Sequence, residues 1–259
     1  MKINYYTFEK LDDLKVDPRD GAMVSRFNNK TIVTGGWNPI KEGIYENHLV
    51  SNDVLEIENG IANIIKESTY KTEKYNSITD FQGRHTHVST VLDGKLHLFL
   101  GDTFGDNWVY QDDHWIYDGN KWEKQDDPPF KKRMLCFYAN FDNSIFVYGG
   151  QQFQNSLLPD EEYLYKDCYR YKNGKWEQIE VNDNGMLPRS MILNNCVFKD
   201  EIVVINGGIY PTNRNPRIYF SDIWKSKDGF NFEKVLEETP FSARQYHTIN
   251  EYKGRLFVG

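Results

Sequence analysis

The sequence predicts an all-β protein of about five radially repeated units, each a sheet of four antiparallel strands. A recurring phrase is the first reason. It is an Arg-led apolar strand, a short turn, a second apolar strand, and a glycine at its end. It runs from Arg19 to Gly35-Gly36, Arg84 to Gly101-Asp102, Arg133 to Gly149-Gly150, Arg189 to Gly207-Gly208, and Arg244 to Gly259. The copies start about 50 to 65 residues apart, a period that marks stacked or radial repeats. The second reason is composition: aromatics are 15% of the 259 residues, and short runs alternate polar with apolar side chains as half-buried strands do. The third is punctuation by two-residue hairpin signals such as Asp93-Gly94. Units this small cannot bury their own apolar faces, so the chain reads as one domain, a β-propeller.

The second unit is the clearest guide to the strands. His85–Leu92 alternates, Asp93-Gly94 turns, and Lys95–Leu100 alternates again. A polar, aromatic loop follows Gly101, then HWIY gives a third strand, DGN a turn and KWEKQ a fourth. The third unit repeats this as DCYRY, KNG and KWEQI, and the fourth as SDIWKS, KDG and FNFEKV. The expected blades are 19–83, 84–132, 133–188 and 189–243. Residues 1–18 are expected to supply the outer strand of a closing blade, and 244–259 its start. The closing blade lacks a third strand and breaks inside a glycine motif. That favours a six-bladed parent over an imperfect fifth blade closed by the two ends.

The glycine doublet, a third-strand aromatic (Trp115, Tyr169, Trp224) and a fourth-strand Trp (Trp122, Trp176) together resemble the kelch repeat of kelch and galactose-oxidase-type propellers. The departures are Gly-Asp in unit two, Phe232 in unit four and Ala62 in unit one. Ser226-x-Asp228-Gly229-x-x-Phe232 is similar to a sialidase-type Asp-box, which reads as a turn device. The chain also looks similar to the sialate mutarotases, which are kelch propellers. That resemblance implies one acid and one base beside an anomeric carbon, with an Arg for the sugar carboxylate.

Composition narrows the partners. A formal charge of −7 and a pI near 5.4 argue against a general nucleic-acid binder. No stretch approaches the roughly 18 apolar residues that span a bilayer. The N-terminus carries no apolar run of secretory length, so a cytoplasmic protein is expected, exported only with a leader preceding this sequence. Cys136, Cys168 and Cys196 lack CxxC spacing, so neither metal nor cofactor is expected. Phosphate-loop and GxSxG patterns are absent.

The first strand of each hairpin starts on the face where the second ends. Leading arginines and post-glycine loops therefore share one face. With the first strand innermost, Arg19, Arg84, Arg133, Arg189 and Arg244 are expected around a channel mouth, where they either bind an anion or hold neighbouring blades. Trp37, Trp108, Tyr210 and Arg214 join them as candidate ligand contacts. Glu42, Glu46, Asp102 and His247 are candidates for proton transfer, and Arg84, Arg244 or Arg214 for a carboxylate. The expected function is a ligand-binding or interaction module for an acidic peptide or anionic glycan. The alternative is a mutarotase, an isomerase of a sialic-acid-type sugar.

Overall fold

The computed structural model describes residues 7, 16–38, 50–70, 72–103, 109–152, 164–190, 197–211 and 216–259. These form a β-propeller, with no helix among them. The first blade is β1 (Met23–Phe27), β2 (Lys30–Thr34), β3 (Val54–Glu58) and β4 (Ile61–Lys66), hydrogen-bonded in that order. The second is β5 (Val88–Leu92), β6 (Lys95–Phe99), β7 (His114–Tyr117) and β8 (Trp122–Lys124). The third is β9 (Phe137–Phe141), β10 (Ser144–Tyr148), β11 (Cys168–Lys172) and β12 (Lys175–Ile179).

In the fourth blade, β13 (Val197–Phe198) and β14 (Glu201–Ile205) pair with β17 (Ile223–Ser226) and β18 (Phe232–Leu236). A small hairpin of β15 (Gly208–Ile209) and β16 (Ile218–Tyr219) lies between β14 and β17 in sequence. A fifth sheet holds β19 (Ile249–Tyr252) and β20 (Arg255–Val258). The expected closing strand in 1–18 lies almost wholly outside the described residues.

Turn chemistry sets the register. Asn28-Asn29, Asn59-Gly60, Asp93-Gly94, Asp142-Asn143, Asn173-Gly174, Lys199-Asp200 and Lys253-Gly254 all have φ between 47° and 79°. Two consecutive positive φ values define the I′ turn, whose twist matches that of the strands it joins. The Asp-box closes β17 onto β18 differently. Asp228 accepts the N–H groups of Phe230 and Asn231 at 2.8 Å, and Ser226 Oγ accepts that of Gly229 at 2.9 Å. Burial pushes the Asp228 carboxyl up, but the Asn231, Phe230 and Ser226 hydrogen bonds outweigh it and bring the pKa to about 2.

The core sits between blades. Phe27, Ile32 and Val54 of the first pack with Phe81, Leu96, Leu98 and Trp115. Val88 and Phe99 of the second pack with Cys136, Ile145 and Tyr171 of the third. Phe146 and Tyr148 of the third pack with Ile202, Trp224 and Phe232 of the fourth. Val203 and Ile223 pack with Ile249 of the fifth. Fully burying one such side chain contributes about 1.5–3 kcal/mol, and that gain exists only with the neighbouring blade in place. No helix of the described residues is long and apolar enough to cross a membrane.

Candidate functional site

The repeated arginines are clamps within their own blades. Arg84 gives Nη1 and Nη2 to the two oxygens of Asp113 at 2.8 and 2.9 Å, and Nη1 also reaches Leu100 O at 3.1 Å. Arg133 meets Asp167 at 2.5 and 2.9 Å and Gly149 O at 3.0 Å. Arg189 repeats this with Asp222 and Asn206 O, and Arg19 with Asp53 and Gly35 O. Arg84 and Arg133 are fully buried. Burial alone would raise the Asp113 and Asp222 carboxyls, but Arg84 and Arg189 hold them below the usual range. Arg244 makes the matching Nε bond to Ser242 O and lies over the Phe241 ring. Of the five arginines expected at the mouth, the first four thus have their guanidinium groups already engaged by a carboxylate of their own blade. A bidentate fork already facing a carboxylate presents little charge to a ligand.

The sequence carried a signal for these partners that the Arg phrase alone did not expose. An Asp stands two residues before the third-strand aromatic in Asp113-x-Trp115, Asp167-x-Tyr169 and Asp222-x-Trp224. In two of them the Trp Nε1–H donates to that same carboxylate.

The main chain of the last four arginines joins blades. Gly36 N–H donates to Arg84 O at 2.8 Å, Gly101 to Arg133 O at 3.2 Å, Gly150 to Arg189 O at 3.1 Å, and Gly207 to Arg244 O at 3.2 Å. The repeating pair is thus Gly35-Gly36, Leu100-Gly101, Gly149-Gly150 and Asn206-Gly207, with φ of 55–60° and then 90–109°. This corrects the reading of Gly101-Asp102 and Gly207-Gly208 as doublets. Gly208 instead opens β15.

The residues flanking these clamps form the mouth. β1 contacts β5, β5 contacts β9, and β9 contacts β13, so the first strands are innermost. Two residues after Arg19, Arg84, Arg133 and Arg244 the chain turns left-handed, at Gly21, Thr86, Leu135 and Tyr246. There Thr86 N–H donates to Gly21 O and Leu135 N–H to Thr86 O. One residue after each of the first four arginines, backbone bridges join Asp20 to Trp37, His85 to Asp102, Met134 to Gln151 and Ser190 to Gly208.

His85 and Asp102 are both buried, with Nδ1 2.7 Å from Oδ1. The Asp102 carboxylate fixes the orientation of the His85 ring. Gly21 packs directly against this ring, and a Cβ there would fall 2.9 Å from Nε2. Gln151 Oε1 accepts from Ser190 Oγ and, at 2.9 Å, from Tyr210 N–H. Tyr210 and Tyr110 both pack on Met134 and Leu135, the Tyr210 hydroxyl touches that of Tyr246, and Arg217 lies 4.6 Å from the Tyr210 ring. Its phenol is pushed up by burial first; Asp20 and Asp102 add to this against the Arg217 charge.

The remaining candidates separate. Trp37 is half-buried beside Asp20. His247 is buried at the fourth–fifth joint, next to the Ile205 backbone, and burial pushes its pKa down to about 4. Trp108, Arg214, Glu42 and Glu46 lie outside the described residues, as does Cys196. Cys136 and Cys168 are buried free thiols, each pushed up to about 12 by burial first. Asp20 and Ser190 join the site without having been singled out from the sequence. What marks Asp20 and Ser190 is only their place immediately after a repeat Arg.

No protein-family model and no curated protein matches this chain. Solved structures do match its fold. One titled "Structure of YjhT" superposes with a TM-score of 0.67 at 14% identity, covering 93% of this chain and 76% of its own.

Proposed function

We propose that the chain is a ligand-binding propeller that takes an anionic sugar at the mouth around Tyr210. The observation that carries this is convergence. Gln151 and Leu135 of the third blade and Tyr246 of the fifth contact Tyr210, Tyr110 of the second packs on the same Met134–Leu135 cluster, and Asp20 and Asp102 act on the Tyr210 hydroxyl through their charge. Aromatic faces with a few fixed polar groups suit a ligand that is apolar on one face and hydroxylated at its edge. Arg217 is exposed, lies over Tyr210, and offers a planar fork to a carboxylate. Among the described residues, the clamped arginines leave few cations at the mouth for an acidic peptide. Titration with N-acetylneuraminate and neutral N-acetylglucosamine tests this reading. Arg217→Ala is expected to weaken the acidic sugar at least tenfold and Tyr210→Ala to weaken both; unchanged affinities in both variants would overturn it.

A second reading, mutarotation of such a sugar, is favoured by the His85–Asp102 pair. An imidazole oriented by a carboxylate is suited to taking a hydroxyl proton beside an anomeric carbon. It also fits the resemblance to sialate mutarotases. Anomer exchange of N-acetylneuraminate followed by NMR is expected to accelerate with the protein and to lose that acceleration in His85→Ala. No acceleration by the unaltered chain would sink this second reading alone.

A further inference from the structure

A cavity of about 340 Å³ lies between the third and fourth blades and shares no side chain with the mouth. Tyr148, Cys168 and Val204 are among its buried lining groups, and Leu187 of the linker between the blades stands at its side. Glu180 and Asp183 lie at its rim, with Lys166 as the one cation beside them. Its other two charged groups, Asp167 and Arg189, are already neutralised by Arg133 and Asp222. Glu180 and Asp183 enter no ion pair among the described residues.

The field of these carboxylates reaches the floor. After burial and Asp167, Asp183 and Glu180 push the Cys168 thiol up, against Arg133. An apolar gap of this volume falls within the size range of small-molecule sites. A cation there exchanges part of its hydration for two carboxylates at reduced dielectric.

We propose that this cavity binds an organic ammonium, with its hydrocarbon body in the interblade gap and its charge at Glu180 and Asp183. Benzyltrimethylammonium and the anion phenylacetate, titrated into the chain by NMR, test it. The ammonium is expected to bind in the millimolar range and phenylacetate at least tenfold more weakly. The double variant Glu180→Gln/Asp183→Asn, at exposed positions, should weaken the ammonium at least fivefold. Leu187→Trp, also exposed, should fill the gap and abolish binding, while Tyr210→Ala leaves it unchanged. Absence of ammonium binding, equal binding of the two probes, or unchanged affinity in the double variant would overturn the proposal.

Discussion

Arg133 donates from all three of its nitrogens. Nε meets Lys131 O at 2.9 Å, Nη1 meets Gly149 O and Asp167, and Nη2 meets Asp167 again, while the Tyr165 ring lies 4.0 Å from the guanidinium carbon. Removing one partner of a buried pair leaves the other charge uncompensated, which costs about 3–5 kcal/mol. Asp167 is 27% exposed, which places Arg133→Ala near the lower end of that range. Arg133→Lys keeps the charge but not the fork, so it too is expected to be destabilising. Urea unfolding should show a lower midpoint with an unchanged slope for both variants, the larger drop for alanine. The periodic Arg was legible because it recurs at one place in an alternating strand. Its task was not, since the partners Asp53, Asp113, Asp167 and Asp222 stand about 30 residues away in chains of differing loop length.

At the scale of the strand ending, what repeats is a backbone conformation, and letters follow it loosely. Leu100 and Asn206 occupy the left-handed position that Gly35 and Gly149 hold elsewhere. Counting Gly-Gly therefore shifted the frame by one residue in two blades. The second position is stricter, because the neighbouring chain lies against it. A Cβ on Gly101, at φ 96°, would fall 2.7 Å from His85 O and from His87 Cβ. Gly101→Ala is expected to cost at least about 2 kcal/mol, since a clash adds to an unfavourable φ. Gly94, at φ 69° in an exposed turn with nothing within 4 Å of a Cβ, should tolerate alanine for about 1 kcal/mol. Comparing the two thermal midpoints checks this.

For the whole molecule, the joint between the second and third blades holds a buried polar chain. Trp176 Nε1–H donates to His114 Nδ1 at 3.3 Å, and His114 Nε2 lies 3.0 Å from His97 Nδ1. Tyr171 packs on both rings, and Asp93, Lys95 and Asp113 supply the nearby charges. Burial pushes His97 down to about 4 and His114 to about 3.

A depressed histidine means that the unfolded chain binds more protons below about pH 6.5. This contribution to stability is full above 6.5 and is lost as pH falls through the folded values. The loss is about 1.4 kcal/mol per pH unit for each histidine in that window. Unfolding free energies at pH 7, 6 and 5 should fall steeply, and His97→Phe should flatten the dependence. A flat profile in the unaltered chain would contradict this. The architecture was readable because period and turns repeat locally. The mouth was only partly so, because Gln151 and Tyr210 meet through the packing of neighbouring blades, which no local pattern encodes.

The glycine-to-arginine bonds between blades run from main chain to main chain. Such a joint does not read side-chain identity: any blade that keeps the left-handed ending and the following strand start can be its neighbour. Duplication, loss or exchange of a blade then requires matching the side chains buried on either side, apolar for the most part and polar where Trp176 meets His114. The loops after the glycines can change without touching the joint. A scaffold of this kind separates its assembly from its recognition surface, so the ligand can be altered in one blade while the seams in all the others stay as they are.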